Sequence, residues 1–211
     1  MTGHCSPEEV QRISELESKL KEGCATEEEM TRLARMYMCP AHRLEDALEL
    51  FEQIVERNEK NAWARYWLAE CYVHEVMTGE ALRRGKELLD LPEVSDSSWR
   101  AASLGLLAHV LESLNEVDEE GALRLREDAV DARPDWASNH YLLGRQYESL
   151  GRIPDAIREL EKAADNLIAD TSDLDAWTLD FEVSVTGRAA DDLPTEIPKR
   201  LARLKGRTQQ G

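Results

Sequence analysis

Residues 135–164 read DWASNHYLLGRQYESLGRIPDAIRELEKAA, and two patterns inside them decide the fold. Leu143, Gly144 and Tyr147 stand at i, i+1 and i+4, which puts two bulky side chains and a gap on one helix face. Ala156, Leu160 and Ala163 then follow at i, i+4 and i+7. The small residue lets a partner helix approach, and the bulky ones fill the groove between them. One such hairpin cannot bury its own apolar face; stacked neighbours can.

Three earlier stretches carry the same order. Leu33-Ala34 and Tyr37 precede Ala47, Phe51 and Ile54; Leu68-Ala69 and Tyr72 precede Ala81 and Leu88; Leu107-Ala108 and Leu111 precede Ala122 and Ala129. The leucines 33, 68, 107 and 143 are 35, 39 and 36 residues apart, and the leucine-to-alanine step inside each copy is 13 to 15. A repeated large residue, Leu, small residue and Tyr, then Ala and a large residue, resembles the tetratricopeptide repeat, a helix-turn-helix unit of about 34 residues. The resemblance covers residues 27–170. It implies an all-α, right-handed solenoid of about four helical hairpins with a capping helix at each end. Three positions depart from the pattern and two loops stretch it. Gly85 and Arg126 stand where the family has large apolar side chains, Leu111 replaces Tyr, and the loops 91–98 and 116–121 are long.

The ends read as caps. Ser6-Pro7-Glu8-Glu9 is a capping box with Pro in the first turn, Val10, Ile13, Leu16 and Leu20 form an apolar stripe, and Gly23 is a stop. Thr26 and Glu29 make a second capping box, and Thr78 is expected to cap a later helix. Trp177, Leu179, Phe181, Val183 and Val185 alternate as a strand would, while Leu174, Trp177 and Phe181 have helical spacing; the stretch is read as helix through Phe181. Residues 197–211 hold five bases and no acid, and Ile197, Leu201 and Leu204 recur on one side of a basic helix starting near Thr195. The expected organisation is a capping helix over 1–25, the repeats over 26–170, and an acidic segment with a basic capping helix over 171–211.

A net charge of −17 argues against a nucleic-acid surface and favours a basic protein partner. No run of 18 apolar residues exists and the first residues lack a basic region ahead of an apolar run, so the expectation is a cytoplasmic chain with no membrane span. Cys5, Cys24, Cys39 and Cys71 are scattered and are read as reduced thiols.

Enzyme signatures are missing. His74-Glu75 opens a zinc-protease-like run, but Thr78 stands where its second histidine belongs, and neither a phosphate loop nor a nucleophile elbow is present. The Cys39/His42 and Cys71/His74 pairs carry zinc-ligand types. They read better as ordinary packing, since small buried Cys behaves as a hydrophobe. No catalytic residue, metal or cofactor is expected.

The family resemblance places the first helix of each hairpin along a concave groove. Mapped onto this chain, the lining is Arg35, Trp63, Tyr66, Glu70, His74, His109, Tyr141 and Arg145, with Gly105 leaving room in the middle. Aromatic anchors beside arginines suit a peptide groove. The subclass that grips a terminal carboxylate uses Lys and Asn where this chain has Thr31, Arg35, Tyr66 and Glu70, so that clamp is not expected. The implied function is protein–protein recognition of a peptide or partner helix, as an adaptor or chaperone-like module. The alternative is a structural or regulatory subunit that makes its contacts through the capping helices.

Overall fold

The computed structural model describes residues 6–38, 43–95, 97–112, 118–168 and 193–208. The described residues form ten α-helices and no strand. They divide into two compact units, Met1–Glu93 and Val94–Gly211. The alternating stretch 177–185 lies outside the described residues.

The first unit holds α1 (Pro7–Lys21), α2 (Glu27–Met38), α3 (Leu44–Arg57), α4 (Ala62–His74) and α5 (Thr78–Leu89). Each packs on the next as the chain proceeds. Both expected capping boxes form: Glu9 N–H donates to Ser6 Oγ at 3.2 Å, and Glu29 N–H to Thr26 Oγ1 at 3.2 Å. Each answers two of the donors a helix N-terminus leaves unpaired. Gly23 adopts φ +71°, the left-handed conformation that ends a helix at little cost for a residue without Cβ. Leu33, Ala34 and Tyr37 of α2 and Ala47, Phe51 and Ile54 of α3 are all buried, as their register requires.

Two expectations need correction here. Val10 is exposed, while Ile13 and Leu16 of the same stripe are buried; the stripe is narrower than its spacing suggested. Thr78 does not cap α5. It is the first helical residue, and the cap is Met77, which makes no side-chain bond. The turn ahead of it explains why. Val76 takes a left-handed φ of 58° and Met77 N–H returns to the Tyr72 carbonyl, so the backbone closes this turn itself.

The second unit holds α6 (Ser97–Glu112), α7 (Glu119–Ala132), α8 (Ala137–Ser149), α9 (Ile153–Ile168) and α10 (Leu193–Thr208). Its core joins Tyr141, Leu142, Leu143 and Tyr147 of α8 to Ala156, Leu160 and Ala163 of α9, and then to Leu193, Ile197 and Leu204 of α10. Gly144 marks a close approach of α8 and α9. A Cβ built there meets Leu160 Cγ at 2.9 Å and the Ala156 carbonyl oxygen at 3.3 Å. The α10 bases meet acids on α8 and α9: Arg200 and Arg203 both reach Glu148 at 2.6 Å, and Lys205 reaches Glu161 at 2.6 Å. The apolar burial dominates, because partly exposed pairs contribute only about 0–1 kcal/mol each.

One contact recurs through both units. Tyr37, Tyr72 and Tyr147 donate to Glu17, Glu52 and Glu127, each 20 residues earlier, at 2.8, 2.6 and 2.6 Å. Burial, reinforced by the facing carboxylate, pushes all three phenols up to about 12. Where Leu111 replaces the tyrosine, position 91 is Leu as well, so both ends of the bond are lost together.

Candidate functional site

The first helices of the hairpins, α2 and α4 in one unit and α6 and α8 in the other, carry all eight expected groove residues. In the first unit these residues divide by burial. Tyr66 is 0% exposed and Glu70 6%, whereas Arg35 and Trp63 are half-buried and His74 is exposed. Tyr66 Oη donates to Glu70 Oε1 at 3.0 Å. Burial pushes the Glu70 carboxyl up to about 7, against the opposing pull of that hydrogen bond. Trp67, which sequence mapping did not include, completes the group. It meets Trp63 and Tyr66 edge-on, with centroids 5.8 and 5.3 Å apart. The Arg35 guanidinium lies 4.7 Å above the Trp67 ring and 5.6 Å from Trp63, a cation–π arrangement. A four-residue step, 63 to 67, is the sequence signal that put Trp67 on the same face.

Cys71 is buried on α4, and burial pushes its thiol up, away from the thiolate a metal or nucleophile needs. Cys39 and His42, the other pair of zinc-ligand types, lie outside the described residues. Among the described residues no group of three His, Cys, Asp or Glu side chains could hold a metal ion.

In the second unit His109 and Arg145 are exposed and Tyr141 is 1% exposed. The Tyr141 ring has Arg145 on α8 and Arg200 on α10 at 5.9 and 5.7 Å from its centroid. Beside Arg145 opens a cavity of about 240 Å³, lined also by Glu112, Glu119, Arg126, Gln146 and Ser149. Arg126 is the feature that sequence mapping left without a role. It is 6% exposed, and its Nε and Nη2 donate to the two Glu112 oxygens at 2.8 and 2.9 Å. Burial lowers its pKa from the ordinary guanidinium value, the Glu112 charge opposes that, and the charge of Arg145 adds to it. The sequence marks Arg126 as a misfit in an apolar register; the hairpin brings Glu112 to it from 14 residues away.

No helix among the described residues is long and apolar enough to cross a membrane. Comparison with known proteins agrees with the geometry. A family model for the tetratricopeptide repeat matches residues 41–84. No curated protein matches the sequence. Among solved structures, a thermophilic TPR protein of Thermus thermophilus is similar at 23% identity and a TM-score of 0.56, covering 85% of this chain and 98% of that one. MamA 41-end from Desulfovibrio magneticus RS-1 is similar at 13% identity and a TM-score of 0.56, covering 80% of this chain and all of that one. At such identities the likeness speaks for the fold alone. Residues 41–84 therefore match the tetratricopeptide repeat by sequence, and the chain has a helical-hairpin fold similar to that of tetratricopeptide-repeat proteins.

Proposed function

We propose that the chain is a protein-recognition module, an adaptor or chaperone-like protein of the cytoplasm, that takes a peptide or partner helix against the first helices of its hairpins. The observation that carries this reading is Arg145. It projects from the first helix of the best-formed hairpin, is exposed, and has no acidic partner among the described residues. An exposed cation beside an aromatic ring is the kind of anchor recognition surfaces use. His74 and His109 are exposed on the equivalent helices. Buried Tyr66, Glu70 and Tyr141 would act from beneath by fixing that surface. The charge of −17 favours a partner that is basic overall. Catalysis is not part of the proposal.

The test is partner capture by the immobilised chain. His74→Ala and Arg145→Ala should each weaken it, while Arg124→Ala, on a second helix, should not. Capture that survives both first-helix changes would move recognition elsewhere. The exposed Val10 on α1 favours one alternative, a subunit that docks through its end helix; Val10→Asp would then be the change that abolishes capture.

A further inference from the structure

The cavity beside Arg145 supports a more specific statement, which rests on the recognition reading above. Two arginines, Arg126 and Arg145, line it. Arg126 is more than nine-tenths buried, and two of its nitrogens are taken by Glu112. Its third, Nη1, has no hydrogen-bond partner among the described residues. Arg145 has no acidic partner among them either, and its charge acts unfavourably on Arg126. A buried guanidinium with an open donor, beside a second guanidinium that no acid pairs, offers hydrogen bonds that an acceptor group can take up. The cavity also offers the Gln146 side-chain amide, which makes no hydrogen bond among the described residues. At about 240 Å³ it is larger than a water site and smaller than a typical cofactor pocket, a size suited to one side chain.

We infer that this cavity accepts a single carboxylate side chain, an Asp or Glu of a partner segment, held between Arg145 and Nη1 of Arg126. Planar guanidinium donors match the two oxygens of a carboxylate, the acid group that protein segments carry as a side chain. Glu112 and the rim residue Glu119 already balance the two arginines in formal charge, so the open donors can take one carboxylate and a run of acids would be repelled. On a chain of net charge −17 an acidic side chain is repelled from most of the surface, which makes this cavity a point of register for a partner that is otherwise basic.

The test uses the full chain and two probes, N-acetylglutamic acid N-methylamide and its glutamine counterpart, followed through the arginine Nε–Hε NMR signals. The glutamate probe should give saturable shifts at Arg126 and Arg145, and the glutamine probe none. Arg145→Gln, an exposed change that should leave the melting point in place, should weaken the response about tenfold. Equal responses to both probes, no saturable response, or a response unchanged in Arg145→Gln overturns the inference. Selection from randomised short peptides separates it from the broader reading. Acidic enrichment that disappears in Arg145→Gln supports both. Bound peptides with no acidic preference overturn the carboxylate pocket and leave recognition standing. A saturable glutamate response with no peptide selected counts against peptide recognition and not against the pocket.

Discussion

The hairpins α6–α7 and α8–α9 occupy equivalent places in the repeat pattern and solve the same packing problem with opposite chemistry. In α8–α9, Leu160 closes on Gly144 so tightly that no Cβ fits between the helices. Tyr147 adds its bond to Glu127. In α6–α7 the residue equivalent to Leu160 is Arg126, and the residue equivalent to Tyr147 is Leu111. The buried guanidinium is held by Glu112 instead of by apolar contact, and a cavity opens beside it. A buried ion pair rarely adds stability over a well-packed apolar pair. The difference therefore separates a hairpin built for packing from one that gives up packing for polar donors facing a cavity.

The packed side of the comparison can be broken directly. Gly144→Leu should destabilise by about 3 kcal/mol, because one neighbour is backbone and the other a core leucine. A variant that melts with the native chain would show that the α8–α9 contact is looser than described. Glu70 in the first unit sharpens the polar side, since it is a buried acid without a counter-ion of the kind Arg126 has. Its carboxyl is raised in the folded chain, so the sign is fixed. The neutral form costs nothing below the ordinary value near 4.5, and stability is lost as pH rises from there through about 7. Glu70→Gln should remove that loss, stabilising at pH 8 by on the order of 2 kcal/mol with little change at pH 4. A Tm difference between the two chains that does not change with pH would contradict it. The smallest effect concerns the turns. Val76 and Gly151 hold matching left-handed positions after α4 and α8, but Val76 is 79% exposed and has no packing to offset its strain. Val76→Gly should stabilise by about 1 kcal/mol, read as a raised denaturation midpoint; a lowered midpoint would mean the valine packs where it is described as exposed.

Much of this was legible in the sequence, for local reasons. Capping boxes at Ser6 and Thr26 depend on residues three apart, and the Gly144 register depends on spacing within one helix. The chain failed to announce what depends on a second element. Thr78 looks like a cap by residue preference, yet the backbone of the preceding turn had already closed. Val10 belongs to the stripe by spacing, but only the packing of α1 on α2 decides which edge of the stripe is covered. Arg126 was visible as a misfit, whereas Glu112 as its partner follows from the hairpin. The burial of Tyr66, Glu70 and Tyr141 beneath the surface they were mapped to is likewise tertiary. One long-range signal was present and readable: Glu stands 20 residues before Tyr at 37, 72 and 147, and both members are absent at 91 and 111.

The claim that α6–α7 trades packing for function is tested most directly by a thermodynamic cycle on its ion pair, comparing Glu112→Leu, Arg126→Leu and the double change by denaturant unfolding. Glu112→Leu alone leaves a buried, unpaired guanidinium and should cost about 3–5 kcal/mol. The double change restores the apolar chemistry of α8–α9 and should be as stable as the native chain or more stable, by about 1–4 kcal/mol. A double variant clearly less stable than the native chain would contradict the account, because the ion pair would then be the better packing solution and the cavity only its by-product.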